Sequence, residues 1–199
     1  YGDSISEVGR SPGWYGGATT AEGNWGHQFG RRMAAAHPRS RIDVVHFGVG
    51  GHNSYEGLGR LDWLGLLNPH LVLVEFGAND CGWHYLLPEE TYLAQKTLAE
   101  WIRARHGADV VLVGCGGDNP ARPSFCHLDE TLAATRRAAQ ETGNLYVDLR
   151  TAVVAATQGG RLWTDFHNGE QDCHPNDAGH RLWGDTVFAA VEAVLAATP

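Results

Sequence analysis

The sequence predicts an α/β protein in which a parallel β-sheet lies between two layers of helices. Apolar and β-branched runs of strand length alternate with longer helical segments along the whole chain. The runs at 70–76 and 109–114 are almost wholly apolar, as is expected for strands that are covered on both faces. This alternation and spacing favour parallel pairing with helices on both sides, a three-layer α/β/α arrangement.

The composition is that of one globular domain. The 199 residues include 19% charged and 43% hydrophobic side chains, enough for a substantial core. The net charge of −8 argues against nucleic-acid or anionic-membrane partners, which select clustered Lys and Arg. No run approaches the roughly 18–20 apolar residues of a membrane span. No repeat or linker interrupts the chain, so residues 1–199 are predicted to form a single domain.

The N-terminal half is predicted to hold a glycine-rich loop, two helices and two strands. Thr-Ala-Glu at 20–22 is a helix-start pattern, and Trp25, Phe29 and Met33 follow on one stripe. A short β-branched run after this helix indicates a strand. The predicted elements are a loop at 7–20, a helix at about 20–37, a strand at 42–47, a loop at 48–54, a helix at 55–67 and a strand at 70–76.

The C-terminal half continues the alternation. Pro88, followed by two glutamates, is typical of a first helical turn. The last long segment is amphipathic and is predicted to be a helix. The predicted elements are a helix at 88–106, a strand at 109–114, a loop at 115–127, a helix at about 129–142, a strand at 145–148, a connection at 157–177 and a helix at 178–197.

Polar motifs follow the first three predicted strands. Ser4 in Gly-Asp-Ser follows strand one, Gly51 in Gly-Gly-His-Asn-Ser follows strand two, and Asn79 in Gly-Ala-Asn-Asp follows strand three. In a five-stranded flavodoxin-like sheet of order 2-1-3-4-5, these strand ends are neighbours at the switch point, where ligands bind. Only Tyr1 precedes Gly2, so the first strand is expected to lie largely outside the numbered chain.

These stretches, in this order, resemble the blocks of the SGNH (GDSL-type) hydrolases, a family of esterases, lipases and carbohydrate deacetylases. The resemblance spans the chain and implies that Ser4 is a nucleophile and that His174 in His-Pro-Asn is its base. It also implies an oxyanion hole made by the N–H groups of Ser4 and Gly51 and the side-chain amide of Asn79. No cofactor is expected.

The chemistry of ester hydrolysis explains these residue types. A serine hydroxyl is a poor nucleophile until an imidazole takes its proton, so Ser4 requires His174 within hydrogen-bond reach. Attack on an ester carbonyl puts negative charge on its oxygen, which preorganised donors stabilise. Structural alternatives stay open for each residue: a helix cap at Ser4, a positive-φ turn at Gly51, a turn residue at Asn79, and an ordinary loop at His174.

The acidic partner of His174 is where the sequence departs from the family. The family usually has an aspartate three residues before the histidine, and this chain has Gln171 there. Asp172 lies two residues before it, and on an extended segment that offset points the side chain the other way. Family-two carbohydrate esterases have a similar Asp-Trp-His-Pro arrangement, in which a backbone carbonyl orients the histidine. A Ser4–His174 dyad is therefore the preferred arrangement, and a triad with Asp172 is the alternative.

Tryptophans in loops point to the substrate. Trp14, Trp83 and Trp163 are predicted to surround the cleft, where flat aromatic faces suit sugar rings better than long acyl chains. The alternative is that these rings only pack the loops together. Three histidines are also expected in loops near the rim, where the alternative is that they are only solvated: His52, His84 and His167.

The cysteines and the possible metal ligands are less informative. The four cysteines form no CxxC pair, which disfavours a zinc ribbon or a thioredoxin-type motif. Cys115 and Cys126 bracket a Gly/Pro-rich loop, so a disulfide between them is an alternative to free thiols, the default. The polar side chains at 165–174 match no zinc spacing, so no metal is expected. Cys173 is a poor candidate nucleophile, because adjacent residues on an extended chain point apart.

The sequence therefore predicts a serine esterase that forms an acyl-enzyme and hydrolyses short-acyl esters, preferentially acetyl esters on carbohydrate. The expected partner is a small-molecule or carbohydrate ester, with neither nucleic acid nor membrane. Two alternatives stay open: a short-chain carboxylesterase or lysophospholipase-type lipase, and a non-catalytic carbohydrate-binding domain on the same fold.

Overall fold

A three-stranded parallel sheet forms the centre of the molecule, which the computed structural model describes over residues 1–82 and 86–197. The strands β1 (Leu71–Phe76), β2 (Asp109–Gly114) and β3 (Leu145–Asp148) lie side by side in that order. Leu and Val dominate these runs, so both faces of the sheet must be covered by other elements.

Seven α-helices connect and flank these strands within the described residues. None of the helices in this part of the chain is both long enough and apolar enough to cross a membrane. Short 3-10 turns lie at Ala21–Gly23, Leu61–Leu66 and Trp163–Asp165. The helices are α1 (Trp25–Ala36), α2 (Ser54–Leu58), α3 (Ala78–Cys81), α4 (Pro88–His106), α5 (Leu128–Thr142), α6 (Leu149–Thr157) and α7 (Asp177–Ala197).

The side chains of β2 show how the sheet is covered. Val111 and Val113 belong to a core cluster built mainly from α1, α6 and α7. Val110 and Leu112 belong to a second cluster built mainly from α4 and α5. Because successive side chains of a strand point to opposite faces, the two clusters lie on the two sides of the sheet. The predicted three-layer α/β/α arrangement is confirmed.

Gly2 extends the sheet beyond β1. Single parallel bridges join Gly2 to Glu75 of β1 and to Gly48. The spatial order is therefore Gly48, Gly2, β1, β2, β3, which follows the predicted order 2-1-3-4-5. The described residues supply three strands and two bridged positions, rather than the five strands predicted.

The prediction of a regular strand at 42–47 is wrong. These residues form no ladder within the described chain, and only Gly48 after them is bridged. A strand needs a neighbouring strand for its backbone hydrogen bonds, and Gly2 is followed at once by the turn at Asp3. The segment still covers α1, because Val44 occupies the space that a side chain at Gly30 would need.

The predicted helix at 55–67 divides into α2 and the 3-10 turn at Leu61–Leu66. Arg60 lies at the break, buried, and its guanidinium donates to the backbone carbonyls of Gly2 and Phe47, both at 2.5 Å. A buried charge needs such partners, and reaching them requires a non-helical backbone at Arg60. Through these hydrogen bonds, Arg60 connects this segment to the first residues of the chain.

The helix α6 has no counterpart among the predicted elements. Asp148 ends β3 and accepts a hydrogen bond from the N–H of Thr151 at 2.9 Å, so it caps the helix that follows directly. Leu149 and Val153 of this helix are fully buried against the sheet. In the sequence, Asp148 at the end of the predicted strand 145–148 was the residue that could have indicated the start of this helix.

Candidate active site

Ser4 lies on a tight turn at the end of the first, bridged position of the sheet. After Gly2, the carboxylate of Asp3 accepts a hydrogen bond from the N–H of Ile5 at 2.9 Å. This Asx turn reverses the chain, and the N–H of Glu7 closes it with a 3.4 Å contact to the carbonyl of Ser4. The Ser4 side chain is left half-buried, at the edge where the strands end.

His174 reaches Ser4 from the other end of the chain. Its Nε2 lies 2.9 Å from Oγ of Ser4. The histidine loop, residues 163–176, is held by Asn168, whose amide donates to the carbonyls of Gly17 at 3.1 Å and of Pro175 at 3.2 Å. The structure thus brings together the two residues that the sequence places 170 positions apart.

Asp172 contacts the imidazole directly. Its Oδ1 lies 2.7 Å from Nδ1 of His174 and also accepts a hydrogen bond from the His174 N–H at 2.9 Å. The expectation that this carboxylate points away from the imidazole is wrong, whereas the choice between a dyad and a triad stays a prediction. The chain is not extended here: it turns at Gly169, and the Asp172 side chain folds forward in an Asx turn.

These contacts assign the proton on the ring. The carboxylate of Asp172 only accepts, so Nδ1 of His174 carries the hydrogen and Nε2 is left as an acceptor. The hydroxyl of Ser4 then donates to Nε2. Acid, imidazole and hydroxyl in this order can generate a serine nucleophile.

The loop at 48–53 lies against the turn of Ser4. A Cβ added at Gly50 would lie 3.8 Å from Cβ of Ser4, and the N–H of Gly50 donates to buried Glu7 at 2.5 Å. Gly51 is exposed, with φ +78°, a conformation that glycine adopts without strain. Within the described chain, the N–H groups of Ser4 and Gly51 have no protein acceptor.

Asn79 lies in the first turn of α3 and is nearly buried. Its Nδ2 donates to the carbonyl of His52 at 2.9 Å and lies 3.4 Å from Oδ2 of Asp3. The contact with Asp3 is at the long limit of a hydrogen bond, so a ligand can compete with Asp3 for that N–H of the Asn79 amide. The amide thus joins the residue before Ser4 to the residue after Gly51.

Trp14 forms one wall beside the imidazole. Its Nε1 donates to the carbonyl of Ser4 at 2.8 Å. Its ring meets that of His174 edge to face, with centroids 5.1 Å apart and planes at 86°. The ring is half-exposed, so Trp14 lies where the sequence predicts it; its contact with substrate stays a prediction.

Trp163 has a different place from the one predicted. It is 6% exposed, and His167 stacks on its ring at 3.6 Å, so it offers no open face to a sugar. Its Nε1 donates to the carbonyl of Asp172 at 3.2 Å, which supports the acidic residue from behind. The expectation that His167 lies at the rim is also wrong, because it is 1% exposed. Its burial lowers its pKa to about 3.

Two predicted rim residues, Trp83 and His84, lie outside the described residues. His52 is half-exposed beside Gly51, and its backbone carbonyl is the acceptor for Asn79.

The four cysteines are free thiols in this structure. Cys115 is buried and Cys126 is exposed, so the alternative of a disulfide between them is not realised. Sγ of Cys173 lies 3.9 Å from Nδ1 of His174, the nitrogen that faces Asp172. Burial also raises the pKa of the Cys173 thiol, which disfavours a nucleophilic thiolate.

Asp172, Cys173 and His174 are also the three residues, within 1–82 and 86–197, whose donor atoms have metal-ligand spacing, all within 4.8 Å. Two of these atoms already form the carboxylate–imidazole hydrogen bond. The expectation that the site holds no metal stays a prediction.

Buried carboxylates hold together the elements around the site, and the sequence pattern did not predict them. Asp80 accepts hydrogen bonds from the N–H of Ser54 at 2.8 Å and from its hydroxyl at 2.7 Å, which ties α2 to α3. Glu75 accepts from the hydroxyl of Ser6 at 2.8 Å. A glutamate inside the apolar run 71–76 was the available signal, because a strand covered on both faces rarely buries a carboxyl without purpose.

The glycine-rich loop at 7–20 packs against His174 and His180. The N–H of Trp25 donates to Nδ1 of His180, whose Nε2–H donates to the carbonyl of Gly16 at 3.0 Å. Burial lowers the pKa of His180 to about 4, so the ring is neutral near pH 7. Gly17 has φ +104°, and an added Cβ would lie 3.0 Å from Cβ of His174.

Gly17→Ala is therefore expected to destabilise the fold by about 2–3 kcal/mol. The new methyl group meets a disfavoured φ and would also lie 2.6 Å from the carbonyl oxygen of Pro175. Urea unfolding measures the loss. Gly13→Ala is the matched control, because Gly13 has φ +73° and no atom within 4 Å of an added Cβ. If both variants lose the same free energy, the packing of Gly17 under His174 contributes nothing.

Comparisons with known proteins agree with this architecture. Residues 1–182 match the GDSL-like lipase/acylhydrolase family. No curated protein sequence matches this chain significantly.

Solved structures show the same fold at low identity. LAE5, an α/β hydrolase enzyme from the metagenome of Lake Arreo, Spain, is 22% identical with a TM-score of 0.78, over 97% of this chain and 93% of that one. A catalytic mutant of Axe2, an acetylxylan esterase from Geobacillus stearothermophilus, is 19% identical with a TM-score of 0.78, over 96% and 91%. A two-domain esterase (CEX) active on acetylated mannans is 20% identical with a TM-score of 0.72, over 97% and 48%.

Proposed function

The chain belongs to the GDSL-like lipase/acylhydrolase family and is a carboxylic ester hydrolase, and from this premise we propose that it removes short acyl groups, chiefly acetyl, from carbohydrate esters. The observation that carries the proposal is the line of contacts from Asp172 through His174 to Ser4, at 2.7 and 2.9 Å. Those three residues are proposed as acid, base and nucleophile.

In the proposed reaction, Oγ of Ser4 attacks the ester carbonyl as Nε2 of His174 takes its proton. The tetrahedral intermediate collapses when the imidazolium gives that proton to the leaving alkoxide, which departs as an alcohol. Water then attacks the acyl-Ser4 ester, and His174 takes a proton from it. Collapse returns the proton to Ser4 and releases the carboxylic acid. Asp172 stabilises the imidazolium in both halves.

We assign the oxyanion hole to the N–H groups of Ser4 and Gly51 and to the amide of Asn79. The two N–H groups have no protein acceptor in the described chain, and the amide has one weak contact to give up. Each such donor typically lowers the barrier by about 2.7–4 kcal/mol.

Three observations support an acetylated carbohydrate as substrate. Trp14 presents a half-exposed ring beside His174, and such a ring is suited to contact with a sugar. Axe2 and CEX, which share the fold, are described as acting on acetylated xylan or xylo-oligosaccharides and on acetylated mannans. The acidic chain, at −8, also disfavours anionic lipid surfaces.

One feature favours the alternative of a longer acyl chain. The segment that follows the 48–53 loop carries apolar side chains in solvent: Tyr55 is 63% exposed, Trp63 41% and Leu66 86%. An aliphatic and aromatic surface of this kind would suit the acyl chain of a general carboxylesterase or a lysophospholipase-type lipase.

A chain-length series separates the two. We expect kcat/KM on p-nitrophenyl acetate to exceed that on the octanoate by at least about 10²-fold, because the acyl site of an enzyme specific for acetyl esters should exclude the longer chain. Acetate release from acetylated xylo-oligosaccharides should exceed that from a simple acetate ester. Rising activity from acetate to octanoate would instead establish the lipase alternative.

A further inference from the structure

Glu75 is a fully buried carboxyl group next to the residues of the nucleophile turn. It lies near the end of β1, and its backbone N–H donates to the carbonyl of Tyr1 at 2.9 Å. One side-chain oxygen, Oε2, accepts from the hydroxyl of Ser6 at 2.8 Å. The other, Oε1, has no hydrogen-bond donor in the described part of the chain. A buried oxygen without a donor is costly, so its surroundings need an explanation.

Asp3 is the neighbour that explains this oxygen. Its carboxyl group is also fully buried, and Asp3 directly follows Gly2, which is bridged to Glu75 in the sheet, so the two carboxyl groups interact electrostatically in the same interior. The N–H of Ile5 and the amide of Asn79 already donate to its two oxygens. Two carboxylate groups cannot hydrogen-bond each other, whereas a carboxylic acid and a carboxylate form a strong bond.

The pKa values of the two carboxyl groups also favour a proton between them. Burial, with repulsion from Glu75, raises the pKa of Asp3 well above its usual range, and burial raises that of Glu75 to about 7. Arg60 neutralises neither carboxyl group by contact, because its guanidinium bonds the carbonyls of Gly2 and Phe47. The other titratable and charged side chains around the pair are Arg60, Asp80, Cys115, Cys173 and His174.

We propose that Asp3 and Glu75 retain a shared proton in the active enzyme, and that this carboxyl pair holds the turn of Ser4 in place. Glu75 is thereby a positioning residue for ester hydrolysis. It touches neither the substrate nor the reacting atoms; it acts through Asp3, which is bonded to the N–H of Ile5, one residue after the nucleophile.

The shared proton has a consequence for pH dependence. Loss of the last proton leaves two buried negative charges in contact, and their repulsion pushes Asp3 away from its partners. The turn then loses its shape on the alkaline side of the activity profile. Stability follows the same sign: the contribution of Glu75 is complete below its unfolded pKa, about 4.5, and is lost as the pH rises through its folded pKa, about 7.

The test compares wild type, Glu75→Gln and Glu75→Ala over the pH range of activity. The glutamine amide keeps a donor toward Asp3 and cannot ionise, so the alkaline limb of kcat should move up by at least about one pH unit, with KM little changed. Glu75→Ala removes the donor and should lower kcat by about tenfold or more. Infrared spectra of the wild type should show a protonated carboxyl band that Glu75→Gln lacks.

Val72→Ala controls for general damage to β1, because Val72 is buried on the opposite face of the same strand. It should lower the melting temperature and leave the pH profile unchanged. The inference rests on the proposed function but fails separately from it. Superimposable alkaline limbs for wild type and Glu75→Gln, or equal losses of kcat in Glu75→Gln and Glu75→Ala, overturn the shared proton while ester hydrolysis stands.

Discussion

Ser4→Ala is expected to lower kcat for p-nitrophenyl acetate by about 10⁶-fold. The hydroxyl is the proposed nucleophile, and nothing else in the described site replaces it: Sγ of Cys173 lies beside Nδ1 of His174, whereas Oγ of Ser4 lies 2.9 Å from Nε2. Residual turnover should come from the oxyanion donors and from binding alone, because those groups survive the substitution. Initial rates at saturating substrate measure the effect.

The fold should survive this substitution. Asp3 and Glu7 shape the turn through backbone contacts that alanine keeps. Ser40→Ala, at an exposed position after α1, is the matched control and should retain wild-type rates. A serine-reactive phosphonate should label the wild type and Ser40→Ala at Ser4, and should leave Ser4→Ala unlabelled. Equal hydrolysis by wild type and Ser4→Ala would falsify the proposed function and favour a binding domain on this fold.

Asp172→Asn is expected to lower kcat by about 10⁴-fold, with KM nearly unchanged. The asparagine retains the shape of the side chain, but its amide can donate to Nδ1 of His174 and so favours the wrong tautomer, in which Nε2 carries the hydrogen. Nε2 then has no lone pair to receive the proton of Ser4.

This substitution decides between triad and dyad in solution. Asp165→Asn is its control on the same loop, because that carboxylate accepts from the N–H of Leu162 at 3.1 Å and pairs with exposed Arg161. We expect the control to stay within about threefold of the wild type. A loss below about tenfold for Asp172→Asn would mean that another group orients the imidazole, as in the dyad.

The sequence predicted both the residue types of the motifs that follow the strands and their location at one edge of the sheet. Ser4, Gly51 and Asn79 follow three successive strand positions, and parallel topology brings such ends to one edge of the sheet. His174 was predictable only with the family resemblance, because its loop belongs to no strand. The helix boundaries at Pro88–His106 were also readable, since proline marks the start and Gly107, with φ +63°, the end.

Features that depend on distant contacts were not predictable from local pattern. The β-branched segment at 42–47 looks like a strand, but strand formation depends on a partner that the described chain does not supply beyond Gly2. Trp163 looks like a loop aromatic, and only the fold shows that His167 covers its ring. The side chain of Asp172 turns toward His174 because the loop bends at Gly169, a bend that an assumption of extended chain omits.

By itself the sequence determined the class of fold and the family, and it identified the hydroxyl of Ser4 and the imidazole of His174 that we propose to react, because these follow from periodicity and from short motifs whose chemistry is local. Tertiary structure alone decided which carboxylate contacts the imidazole, that the ring of Trp163 is covered whereas that of Trp14 is half-exposed, and that the carboxyl groups of Asp3 and Glu75 are fully buried. The physical reason is distance: hydrogen bonds and desolvation act over a few ångströms in space, whereas these partners lie up to about 170 residues apart along the chain.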